Sequence, residues 1–112
     1  MTGREFFQHV QLARADAEGY AGCISATVNL TSRHAQAAWA GQGTTAGVAA
    51  GQKAADLRGI VAKNPLVAAV KAGLASRYSD PAWARICLPM LPLTAEATAR
   101  MQTEFEARAA AA

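Results

Sequence analysis

Cysteine is scarce in this chain. Cys23 and Cys87 are the only two in 112 residues. They are far apart, and neither sits in a C-x-x-C or Cys/His ligand spacing, so neither a disulfide framework nor a metal site is expected. They read as buried free thiols. Long apolar runs are missing too. No stretch approaches the roughly 18–20 residues that cross a bilayer, and MTGREFF lacks the apolar core of a secretion signal, so the expected location is the cytoplasm and no membrane partner is expected. Aromatic residues make up only 6% of the chain. None stands beside a basic cluster, and the 11 Lys and Arg residues are spread along the sequence among acidic ones. The net charge of +3 therefore describes a solvated surface and not a nucleic-acid site.

What remains is a chain with 52% hydrophobic residues, enough for a core, although much of that fraction is alanine, which favours helix and buries little area. Thr2 and Glu5 fit a T-x-x-E capping box, with Phe6, Val10, Ala13 and Ala17 at helical spacing, and Gly19 suits the helix end. GCISATVNL, residues 22–30, reads as a buried strand because β-branched and small residues follow a glycine. Thr31 or Ser32 then caps a helix through SRHAQAAWA that stops near Gly41 and Gly43, with Ala35, Ala38 and Trp39 as its apolar side.

A further helix is expected over TTAGVAAGQKAADLRGIVAK, where Gly47, Gly51 and Gly59 either permit close helix contact or mark weakness. Asn64 and Pro65 suit the cap and first position of the next helix, which carries Leu66, Val70, Gly73 and Leu74 on one face. SDPAW is a turn, and ICLPMLPL, interrupted by Pro89 and Pro92, is an extended connector expected to pack. The last helix begins near Thr94, with Ala97, Met101 and Phe105 as its stripe.

The order of G-x-E near the start, GCISAT-x-N, NPL followed by V-K-A, DPAW and LP-x-LPLT resembles the C-terminal part of the dihydrodipicolinate synthase and N-acetylneuraminate lyase family. That resemblance implies a (β/α)8 barrel, which needs roughly 250 residues. The chain would then be a C-terminal TIM-barrel fragment, mainly α with one or two short strands. Residues 1–43 would supply the end of strand seven, helix seven, strand eight and helix eight, and residues 44–112 the C-terminal helical extension.

It also implies a carbon–carbon lyase or aldolase that forms a Schiff base with pyruvate or a related 2-oxo acid, without a cofactor. The Schiff-base lysine and the proton-relaying tyrosine of that family precede Met1, so no catalytic residue is expected here and the chain alone should be inactive. Lys53, Lys63 and Lys71 fall on expected helices, Tyr20 before the strand, and Tyr78 at a helix end.

The resemblance maps a substrate rim onto Gly3, Glu5 and Ile24. Glu5 is equally suited to its capping box. Ala26 stands where the sialic-acid-cleaving branch has a serine, which turns the implied substrate away from polyhydroxylated sugar acids. A 2-oxo acid would be a partner only if the missing barrel were supplied. The alternative is a non-enzymatic helical interaction module that self-associates or pairs with a full-length relative, its exposed strand edges inviting the contact. His9 and His34 read as surface or partly buried histidines, and Asp80 and Trp83 as turn and packing residues.

Overall fold

The computed structural model describes residues 17, 19–22 and 24–111. The chain turns where a strand was expected. The N–H groups of Val28 and Asn29 donate to the carbonyls of Ser25 and Ala26 at 3.2 and 3.3 Å, and that of Leu30 to Thr27 at 2.9 Å. These bonds lead directly into helix α1, Val28–Ala40. The β-branched run favours a strand only where a partner supplies the ladder. Here local bonds satisfy the backbone instead. The buried hydroxyls of Thr27 and Thr31 are satisfied locally as well, Thr31 donating to the Thr27 carbonyl at 3.0 Å and Thr27 sharing a 2.9 Å bond with Ser25.

Thr31 itself leaves helical geometry, with φ −119° and ψ 16°, so α1 is kinked after its first turn. The carbonyls of Asn29 and Leu30 flank the kink. Both accept from the Arg77 guanidinium, each at 2.9 Å, which fastens the start of α1 to the helix that carries Arg77.

Helix α2, Thr45–Val61, follows a short loop. Thr44 organises it: its hydroxyl donates to the Gly41 carbonyl at 2.6 Å and accepts from the Gly47 N–H at 3.1 Å, capping α2. Gly43 has φ +77°, a left-handed conformation that glycine adopts without cost. The backbones of Gly41 and Gly47 touch. A Cβ on Gly47 would lie 2.0 Å from the Gly41 carbonyl oxygen. Close contact, rather than weakness, is what this glycine supplies. Ala38 of α1 and Ala54 and Leu57 of α2 are fully buried.

Helix α3, Leu66–Tyr78, starts after Pro65, which takes the cap position without a side-chain bond, so Asn64 is not the cap that its identity suggests. The helix ends at Ser79 in the left-handed region, φ 52°, where the Asp80 N–H reaches back to the Ala75 carbonyl at 3.1 Å. Asp80 then accepts from the Ala82 N–H at 2.9 Å and starts a 3₁₀ turn, Pro81–Ala84. Residues 85–94 run on without regular structure to helix α4, Ala95–Ala110, capped by the Thr94 hydroxyl from the Ala97 N–H at 3.2 Å.

The core joins all four helices. Leu30, Val61, Ala69, Val70, Ala72, Leu74 and Met101 form its buried cluster, flanked by Ile60, Leu66, Leu93 and Phe105. Gly73 lets α3 approach Leu30, whose Cδ1 would be 2.7 Å from a Cβ at that position. The stripe of Leu66, Val70, Leu74, Met101 and Phe105 is thus the core it was expected to be, completed by Leu30 from the segment read as a strand.

These observations correct the fold expectation. Among the described residues there is no strand and no sheet, and the helices form a four-helix bundle around one core. A TIM-barrel fragment needs strand eight at GCISA. The described residues of that stretch, Gly22 and Ile24 to Ala26, form no strand and lead into α1, so the resemblance to the dihydrodipicolinate synthase and N-acetylneuraminate lyase family is not supported by the fold. The helix expected from Gly3 lies outside the described residues.

Candidate functional site

Of the rim residues carried over from the resemblance, Gly3 and Glu5 lie outside the described residues, while Ile24 is fully exposed before α1. Among the described residues no barrel wall stands beside it. The reading as a Schiff-base lyase or aldolase of pyruvate, and with it the 2-oxo acid partner, is overturned by the strand-free architecture of the described residues. The lysines serve the helices. Lys53 donates to the Ala111 carbonyl, Lys63 pairs with Glu104 at 2.5 Å, and Lys71 is half-buried on α3. No group of three or more His, Cys, Asp or Glu residues among the described ones is placed to hold a metal ion. No helix among them is long and apolar enough to cross a membrane.

Three features of the surface carry chemistry. The first is apolar. Leu88 is 82% and Leu91 72% exposed, and Tyr78, Trp83 and Met90 are exposed with them. The rings of Tyr78 and Trp83 lie 5.6 Å apart with a 30° tilt, so the end of α3 and the 3₁₀ turn share one aromatic pair. The expected connector is not extended throughout: it turns at Leu88 and Pro89, where the Met90 N–H donates to the Cys87 carbonyl at 3.2 Å, and although Leu93 at its end packs against the core, Leu88, Met90 and Leu91 do not. Cys87, expected to be a buried thiol, is an exposed free one.

The second is a polar seam between α2 and α4. Asp56 accepts from both Nε and a terminal nitrogen of Arg108, at 3.0 and 2.6 Å, and from Gln52 at 2.9 Å. With Lys53 to Ala111 at one end and Lys63 to Glu104 at the other, the helices run antiparallel. The Arg108 bonds, and after them the Gln52 bond, hold the Asp56 carboxyl below its ordinary pKa, with burial opposing them.

A depressed carboxyl contributes stability above its unfolded pKa of about 3.9 and loses it as pH falls through the lower folded value. Because both side chains are about a third exposed, 31% for Arg108 and 35% for Asp56, the pair is worth about 1 kcal/mol or less. Asp56→Asn should therefore lower the melting temperature slightly at pH 6 and flatten its decline between pH 4 and 2. Thermal melts of both chains across that range measure it, and parallel acid limbs would show that the seam carries no linkage.

The third is a cleft of about 470 Å³ lined by Leu30, Ser32, Arg33 and His34 of α1, Arg77 of α3, and Phe105 and Ala109 of α4. Among the described residues no acidic side chain lines it. A recess of about 50 Å³ shares Leu30, Arg77 and Phe105 with the cleft and adds Gly73, Met101 and Gln102. His34 titrates below its ordinary range, chiefly because burial disfavours the imidazolium and further because Lys53, Arg33 and Arg108 surround it with positive charge. Sequence reading assigned His34 no role and could not find this cleft, since its residues are distant in the chain and meet only through the bundle.

Comparison of the chain with protein-family models, with curated proteins and with solved structures finds no match in any of the three.

Proposed function

We propose that this chain is a helical association module whose contact surface is the apolar strip from Tyr78 to Leu91, and that the partner is a second copy of the same chain. The exposure of Leu88 and Leu91 carries this reading, together with Tyr78, Trp83 and Met90 nearby in sequence. Large apolar side chains gathered at a surface are stabilised when a partner removes them from water, by about 25 cal/mol per Å² of area buried.

Pro81, Pro89 and Pro92 restrict the backbone, which lowers the ordering cost of docking, and they withhold N–H groups from any added strand. Contact therefore runs through side chains and not through the strand edges first expected. The charged residues beside the strip, Asp80 and Arg85, are of opposite sign, so the surface does not repel a copy of itself across a two-fold axis. A location in the reducing cytoplasm is supported by the exposed free thiol of Cys87.

The test is gel filtration with light scattering over a hundredfold range of concentration. Wild type should pass from monomer to dimer, and the double variant Leu88→Glu, Leu91→Glu should stay monomeric with an unchanged helical spectrum, because both positions are exposed. A wild-type chain that remains monomeric throughout would overturn the reading.

A further inference from the structure

We propose that the cleft between α1, α3 and α4 binds a small amphiphilic carboxylate, its head against Arg33 and Arg77 at the mouth and its short apolar chain directed toward the recess at Leu30, Gly73, Met101 and Phe105. This is independent of the association surface, which involves none of these residues. The volume of about 470 Å³ falls within the range of about 300–1,000 Å³ typical of small-molecule sites, which combine apolar walls with a few polar groups that fix orientation.

The polar groups here are of one kind. Arg33 has no ion-pair or hydrogen-bond partner among the described residues, and its guanidinium can fork onto a carboxylate. Arg77 uses one N–H from each terminal nitrogen on the Asn29 and Leu30 carbonyls. A guanidinium carries five N–H donors, so others remain, on a side chain already fixed in place. Ser32 adds a hydroxyl to the same wall.

With these donors and no acidic side chain in the lining, the cleft favours an anion. A bare inorganic anion leaves the apolar half unused. Leu30 and Phe105 line both cleft and recess, and Met101 and Gly73 close the inner end, so a chain attached to the head gains from leaving water. The recess is small, which selects a short unbranched chain over a bulky ring.

His34 reports occupancy. It faces Arg33 on its own helix, Lys53 of α2, Arg108 of α4 with its partner Asp56, and Arg77 across the cleft from α3. A carboxylate seated among these cations offsets their field and stabilises the imidazolium, so the His34 titration midpoint should move upward on binding.

The experiment is an NMR titration of the full chain with octanoate, 1-octanol and acetate. Octanoate should shift the resonances of Arg33, Phe105 and Ala109 saturably and raise the His34 midpoint. Acetate should bind at least tenfold more weakly, and octanol should leave the His34 midpoint in place. Arg33→Glu, at an exposed position that leaves the helices intact, should weaken octanoate at least tenfold. Equal shifts from octanol and octanoate, shifts mapping away from the cleft, or an Arg33→Glu chain that binds octanoate as wild type does would each overturn the proposal.

Discussion

Leu57→Ala should destabilise this protein by about 2–5 kcal/mol, the range for a buried leucine truncated to alanine, because the lost burial and the cavity left behind add together. Leu57 has no solvent exposure and is among the largest fully buried side chains of the described residues. Ala54, one turn earlier on the same helix, is equally buried but has no side-chain length with which to refill space, and the contact of Gly41 with Gly47 fixes one end of the α1–α2 pair. A domain of this size has about 5–15 kcal/mol in all, and each kcal/mol moves the melting temperature by about 4–8 °C. Thermal and urea melts followed by circular dichroism should show a large downward shift with the transition still cooperative. A shift below 3 °C would place Leu57 outside the core.

Gly47→Ala should be nearly as damaging, by about 3 kcal/mol, at the upper end of overpacking costs, although it adds only a methyl group. The new Cβ would sit 2.0 Å from the Gly41 carbonyl oxygen and 2.5 Å from its carbon. These are backbone atoms, which cannot rotate aside as a side chain does. α1 and α2 must therefore separate, and the two Thr44 bonds that organise the loop are strained with them.

Gly59→Ala is the matched control in the same helix. A Cβ there meets nothing within 4 Å, so alanine's better helix propensity should stabilise by about 1 kcal/mol. The same substitution, twelve positions apart, should move the melting temperature in opposite directions. Equal effects at both sites would show that propensity and not the helix contact governs α2.

The helices after residue 31 were largely readable, because their signals are local. Thr44 and Thr94 cap as their identities require, Gly41 ends α1, and the Met101 and Phe105 stripe turns inward. The segment 22–30 misled for a physical reason. Strand propensity describes how β-branched residues fit a pleated surface, and it says nothing of whether a partner strand exists. With none among the described residues, Thr27 and Thr31 turn their hydroxyls to nearby backbone and side-chain oxygens, and Leu30 enters the core from a helix.

The resemblance failed on similar ground. It rested on the order of short pieces such as NPL and DPAW, which mark helix starts and turns in any helical chain. The glycines were ambiguous until distances decided them: Gly47 and Gly73 admit close neighbours, while Gly59 touches none. The apolar strip was visible as composition, but its exposure was not. The basic cleft was invisible, since residues 30, 32–34, 77, 105 and 109 become neighbours only when three helices pack.

The break at Thr31 divides α1 into two units of different loyalty. The turn before it is anchored across the bundle by Arg77, while the stretch after it belongs to the α1–α2 hairpin closed at Gly41 and Thr44. In amide hydrogen exchange, the first turn of α1 should thus open together with the end of α3, as one cooperative unit. The remainder of α1 should keep the protection of α2. A single helix in the sequence order is, in its local unfolding, shared between two parts of the molecule.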